Sequence, residues 1–135
     1  MIALDTSVVI AAFASWDEDH AAAQAALRRR PRLPAHALIE SYSVLTRLPA
    51  PHTVAAATVL TFLQAAFPAP ALGLAASAYA ELVRDAVAAG IAGGAIYDAL
   101  IATTAKRAGA ILLTRDRRAL PTYDKVGVGY DLLGA

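Results

Sequence analysis

Two short apolar runs sit near opposite ends of this chain. Ile2-Ala-Leu4 opens it, and Ala110-Ile-Leu-Leu113 comes near its close. Between them the sequence is divided into alanine-rich segments with helix start and stop signals. No two apolar runs flank a tight turn of the hairpin kind. Strands that cannot pair through hairpins must pair through crossovers, and a helix is the usual crossover. The expected class is therefore α/β: a three-layer α/β/α sandwich around a mostly parallel central sheet of four or five strands.

The segments follow from their boundary residues. After Ile2-Ala-Leu4, Thr6 or Ser7 can cap a helix over Val8 to Phe13. Asp17-Glu-Asp19 is an acidic helix start, and its helix runs to the basic end Arg28-Arg29-Arg30, with Pro31 just beyond. Arg32-Leu-Pro-Ala35 reads as a short second strand and Ala37 to Leu48 as a helix stopped by Pro49 and Pro51. Thr53 can cap a helix that ends near Pro68, and Ala71-Leu-Gly-Leu74 reads as a third strand. Ser77 caps a helix to Ala89, closed by Gly90; Gly93-Gly94 opens another to Arg107, closed by Gly109. Ala110 to Leu113 is the clearest strand, and Val126-Gly-Val-Gly-Tyr130 a weak last one. No linker or repeat interrupts residues 1–135, a length that suits one domain.

A mean hydropathy of +0.50 raises the question of a membrane span. No Asp, Glu, Lys or Arg lies between Arg47 and Glu81, but Pro49, Pro51, Pro68 and Pro70 cut this region. The piece from Thr53 to Phe67 is shorter than the ~20 residues a span needs. It reads as a core helix, and no membrane association is expected. The absence of cysteine rules out a disulfide framework and suits a reducing cytoplasm.

Four acids stand where a parallel sheet would gather them. Asp5 ends the first strand, and Asp116 lies just past the apolar core of a later one. Asp98 is in the first turn of the helix feeding that strand, and Glu40 lies early in a helix that follows a strand. The carboxyl ends of parallel strands share one edge, where ligand sites form. Two readings compete for each acid. Asp5 and Asp98 can serve helix starts, and Asp116 can be a turn residue. Alternatively all four meet, and then they require a cation, because charges ~4 Å apart repel by about 1 kcal/mol even in water. A hard divalent ion with oxygen ligands is the matching partner. With these four set aside, seven acids face twelve Lys and Arg, so the rest of the surface is mildly basic. An acidic hole in such a surface suits a metal ion and a polyanion together.

The motifs Leu4-Asp-Thr-Ser7, Glu40 ahead of Ser43-Val-Leu-Thr-Arg47, Tyr97-Asp-Ala-Leu-Ile-Ala102 and Leu112-Leu-Thr-Arg-Asp116 follow one another in the order and spacing of PIN-domain ribonucleases. The chain most resembles the VapC toxins of bacterial toxin–antitoxin pairs, over nearly its whole length. The resemblance implies that Asp5, Glu40, Asp98 and Asp116 are metal-binding, catalytic acids. Thr114 resembles a hydroxyl residue that supports the last acid, and Ser7 or Thr6 can do so for the first. It further implies an endoribonuclease using Mg²⁺, with Mn²⁺ as a substitute. The RNA cut would be single-stranded or looped, the toxin a homodimer, and its silencer a small VapB-like antitoxin.

Other residues carry weaker signals. Arg115, Arg117 and Arg118 flank Asp116 and are candidates for gripping phosphate, whereas Arg28 to Arg30 read as a solvated helix end. His20, His36 and His52 show no mutual metal spacing, and Trp16 reads as packing or interface. The rival functions are a catalytically silent PIN-fold binding module, a phosphoacceptor receiver-like signalling domain and an aspartyl-nucleophile phosphatase. A receiver needs an acidic pair at its first strand, where only Asp5 stands. The phosphatase needs a second acid where Ser7 stands.

Overall fold

The computed structural model describes residues 1–134. In chain order the elements are β1 (Ile2–Leu4), α1 (Thr6–Phe13), α2 (His20–Leu27), α3 (Ala35–Leu45), α4 (Ala56–Ala66), α5 (Ala76–Ala89), α6 (Ala95–Arg107), β2 (Ile111–Thr114), a 3₁₀ turn (Arg117–Ala119), α7 (Leu120–Val126) and β3 (Tyr130–Leu132). The strands form a parallel sheet in the order β1-β2-β3, with Leu4 opposite Leu113 and Leu113 opposite Asp131.

The sheet continues beyond β1 as single-residue bridges. Ala3 pairs with Arg32 and Pro34 with Leu72, both in parallel sense. Arg32 donates its backbone N–H to Ile2 O at 2.9 Å, and Leu72 donates to Leu33 O at 2.9 Å. The sheet thus has three regular strands and two bridging segments in place of four or five full strands. Pro31 and Pro34 lack the N–H a longer ladder needs, which keeps the Arg32 segment short.

The core lies between sheet and helices. Leu4 and Leu112 supply it from the strands, Val8 and Val9 from α1, Leu45 from α3, Ile101 from α6 and Tyr123 from α7. The uncharged segment after Thr53 is less buried than its composition suggests. Of α4 only Val59 and Leu63 are buried, and Leu60 stands half exposed. Ala, Thr and Gln on its outer side tolerate water, so one stripe suffices. Among the described residues no helix is long and apolar enough to cross a membrane.

Several boundaries differ from the sequence expectation. Asp5, not Thr6 or Ser7, caps α1. Neither Thr53 nor Ser77 caps its helix: Ala55 and Ala75 hold those positions without a side-chain bond. Helix α2 stops at Leu27, before the arginines, and α3 starts at Ala35 and ends at Leu45. Gly90 closes α5 in the left-handed region at φ 70°, as expected of a glycine C-terminus. Helix α7 is absent from the sequence expectation. Pro121, which looks like a breaker, lies in the first turn of α7, where a missing N–H costs nothing.

Candidate active site

Asp5 is the first residue past β1, and its backbone N–H donates to Leu113 O at 3.1 Å, across the neighbouring strand. Its backbone is extended, so the side chain folds over the start of α1 and caps it. Oδ1 accepts the backbone N–H of Ser7 at 3.0 Å and also the Ser7 hydroxyl. Oδ2 accepts the Tyr123 hydroxyl at 2.7 Å. The residue is buried, and burial pushes its carboxyl above the usual range. Hydrogen bonds from Ser7, Thr114, Tyr123 and the Val8 backbone oppose that shift. Asp5 therefore serves the helix and also presents a carboxylate at the sheet edge; the two readings of this residue are compatible.

Asp116 leaves β2 two residues after Thr114. Its backbone N–H donates to Thr114 Oγ1 at 3.0 Å, and its Oδ1 accepts the Arg118 N–H at 3.0 Å. Thr114 is fully buried and also lowers the Asp5 carboxyl, so one hydroxyl serves both strand-end acids. Because β1 and β2 are adjacent and parallel, Asp5 and Asp116 emerge side by side.

Asp98 stands in the first turn of α6, half-buried. Its carboxyl is pushed up to about 6, first by burial and then by the negative charges of Asp116, Glu40 and Asp5, with Arg118 opposing. The three other acids named from the sequence, from the end of β1, from α3 and from the turn after β2, thus all bear on Asp98. Glu40, a little over a turn into α3, has His36 Nε2 at 3.6 Å from its Oε2 and remains partly open to water.

The supporting residues divide. Ser7 and Thr114 hold the acids as described. Thr6 does not, since its hydroxyl is buried with no hydrogen-bond partner. Arg115 is occupied: its guanidinium reaches Asp17 at 2.7 Å, Asp19 at 3.1 Å and the Ser7 carbonyl at 3.0 Å. Those bonds hold the Asp17 carboxyl below its usual range. Asp17 and Asp19 therefore face Arg115 and provide no side-chain cap for α2. Arg117 and Arg118 are exposed beside Asp116. Trp16 is half exposed, its ring stacked on His52 at 3.7 Å.

Three further residues border the site: Tyr123, His36 and Tyr97. Helical spacing could have found His36, four residues before Glu40, and Tyr97 is next to Asp98. Tyr123 had no such signal, because α7 itself was not foreseen.

Whether these side chains fit a divalent cation can be asked of their chemistry. All donors are carboxylate oxygens, hard ligands that suit Mg²⁺ or Mn²⁺. The Asp98 carboxyl is raised first by burial and then by neighbouring negative charge, and a cation would relieve the second. Among the described residues, no three histidine, cysteine, aspartate or glutamate side chains stand as a group that could hold a metal ion. The donor chemistry fits.

The PIN domain family matches residues 2–126. Ribonuclease VapC40 of Mycobacterium tuberculosis is 49% identical over 133 residues, spanning 98% of this chain and 99% of that protein. Ribonuclease VapC27 of the same organism is 43% identical over 128 residues, 94% of this chain and 93% of that one. Among solved structures, the crystal structure of FitAcB from Neisseria gonorrhoeae superposes with a TM-score of 0.68, covering 96% of each chain at 23% identity, a likeness of fold.

Proposed function

The chain belongs to the PIN-domain family, as a relative of the VapC ribonucleases, and from that premise we propose that it is a metal-dependent endoribonuclease, the toxin of a toxin–antitoxin pair. The observation that carries the reading is the shared field of Asp5, Glu40, Asp98 and Asp116 at the carboxyl edge of a parallel sheet. Such a cluster is unfavourable alone and becomes useful with a divalent cation.

In this reading Asp5, Asp98 and Asp116 hold Mg²⁺, or Mn²⁺ in its place, with Glu40 joining directly or through water. When bound, the cation supplies charge neutralisation at the phosphate and a water acidic enough to attack it. The chain's own residues do the rest. Ser7, Thr114 and Tyr123 fix the Asp5 carboxylate, so it meets the cation without reorganising. Thr114 fixes the backbone that aims Asp116. Arg117 and Arg118, exposed beside Asp116, grip the RNA backbone; Arg115 is committed to Asp17 and Asp19 and contributes by holding the strand end.

The same charge logic extends to partners. A VapB-like antitoxin silences the site by laying an arginine across the carboxylates, whose geometry its fork matches. A homodimer covers exposed apolar side chains of α3 and α4, among them Ile39, Tyr42 and Leu60. Phe13, by contrast, packs on Phe62 within the monomer. The cysteine-free composition suits work in the cytoplasm.

The test is cleavage of RNA by purified protein with Mg²⁺, with Mn²⁺ and with chelator, beside the Asp116→Asn variant. Cleavage that needs the ion and is lost in the variant supports the reading. Cleavage indifferent to chelator and to Asp116 rejects it.

A further inference from the structure

The rings of His36 and Tyr97 lie parallel, 5° apart in plane with centroids 5.1 Å apart. His36 is on α3, one turn before Glu40; Tyr97 is on α6, directly before Asp98. The stack therefore joins the two helices that deliver two of the four acids, and His36 Nε2 stands 3.6 Å from Glu40 Oε2. His36 is largely covered, whereas Tyr97 is 53% exposed.

A tyrosine that served only to hold α3 against α6 would gain by burying its ring. Here one face is backed by an imidazole while much of the residue remains in water. RNA entering this site faces a difficulty that such a surface answers. The carboxylates repel the phosphates, so affinity has to come from elsewhere. Nucleobases supply it by stacking on aromatic rings, in a manner tolerant of sequence because every base has a π face.

We propose that Tyr97, backed by His36, is a stacking platform for an unpaired nucleobase next to the scissile phosphate of a single-stranded RNA. The proposal rests on the ribonuclease reading and adds a binding subsite to it. His36 fixes the plane of the Tyr97 ring, so little side-chain freedom is lost when a base lands. A base inside a duplex is already stacked and does not offer its face, so the platform selects unpaired segments.

The experiment uses fluorescein-labelled RNA decamers and anisotropy with Mg²⁺, on an Asp116→Asn background that leaves the RNA uncut. Tyr97→Leu, close in bulk but without a π face, is expected to weaken binding about 10-fold, and Tyr97→Phe to keep it. A decamer carrying an abasic site at the critical position should bind the leucine variant and its background equally. In the wild-type background the same ratio is expected in KM, with kcat moved less. Equal RNA affinity of the Tyr97→Leu variant and its background, or an equal loss on abasic RNA, overturns the platform and leaves the ribonuclease reading intact. If wild type neither binds nor cuts RNA with Mg²⁺ or Mn²⁺, the ribonuclease reading falls and the platform with it.

Discussion

Tyr123 donates its hydroxyl hydrogen to Asp5 Oδ2 across 2.7 Å, tying the last helix to the residue that ends the first strand. The phenol is fully buried, and burial together with the Asp5 charge pushes its own ionisation far above the usual range, so it stays protonated and donates to Asp5. The bond both lowers the cost of a buried carboxylate and fixes its direction.

Tyr123→Phe removes that donor and leaves the ring. Asp5 then has one partner fewer, and its carboxyl rises further. The expected cost is about 1–2 kcal/mol while the carboxylate is charged, at the higher of two pH values, and less at the lower. Affinity for Mg²⁺ should fall about 10-fold, as when other supports of a metal ligand are lost. Thermal melts at both pH values, with and without Mg²⁺, measure this. An unchanged response to Mg²⁺ would reduce the bond to a structural one.

The arginines next to Asp116 should separate by role. Arg115 bonds Asp17 and Asp19 and fastens the end of β2 to the segment before α2. Arg115→Ala leaves a partly covered Asp17 without its cation and should cost about 2 kcal/mol. Arg118 is 96% exposed in its side chain and lies 3.6 Å from Asp116. Arg118→Ala should change stability by less than about 0.5 kcal/mol and instead weaken RNA binding, with a shallower salt dependence. Urea unfolding and RNA titrations at two salt concentrations distinguish the two. Similar behaviour of both variants would contradict the assignment.

What was legible in the sequence follows from the range of each signal. The parallel class, β1, β2 and the strand-end positions of Asp5 and Asp116 are legible in apolar runs and the carboxylates that end them, which are local patterns; Asp98 and Glu40 rest on helix starts and on the resemblance. The second and third strands were placed at Arg32 and Leu72, but prolines reduced them to single bridges. The caps expected at Thr6, Thr53 and Ser77 give way to Asp5, Ala55 and Ala75, because capping depends on backbone geometry as well as on residue type. Helix α7 was hidden by Pro121 and by the glycines that follow. Tyr123 was lost with it, since its role depends on a contact 118 positions away. The engagement of Arg115 with Asp17 and Asp19 was equally non-local: charge runs at either end of it showed no sign of pairing.

The pH dependence of the ion-free protein follows from Asp98. Its carboxyl is raised from 3.8 to about 6 in the folded state. Between those values the folded protein binds more protons than the unfolded chain, so stability falls as pH rises. The contribution is full below about pH 4 and gone above about pH 6. At this half-exposed position, screened by solvent, it is of order 1 kcal/mol. Mg²⁺ should offset the loss, since it binds the ionised form, and its stabilisation should grow as pH rises through 6. Calorimetric melts from pH 4 to 8, with chelator and with Mg²⁺, test this. Parallel curves would show that the ion does not sense Asp98.

Asparagine at the two helix-start aspartates should have opposite effects on stability. Asp98 makes no side-chain cap of α6, and three acids oppose its charge. Asp98→Asn relieves that repulsion, and the ion-free protein should gain stability, on the order of 1 kcal/mol at pH 8. Asp5 is different, because its charge is held by Ser7 and Tyr123. An amide there can keep the Ser7 bonds through its oxygen, but its NH₂ then faces the Tyr123 hydroxyl, which must turn and lose its acceptor. Asp5→Asn should therefore bring no gain and cost up to about 2 kcal/mol. Both variants should lose cleavage by orders of magnitude and respond less to Mg²⁺, since each removes an anionic ligand. Melts with chelator, melts with Mg²⁺ and an RNA cleavage assay separate the two effects. Retention of full ion-dependent cleavage in either variant would remove that residue from the mechanism, and Asp98→Asn melting below wild type in chelator would mean that burial and repulsion do not oppose its charge.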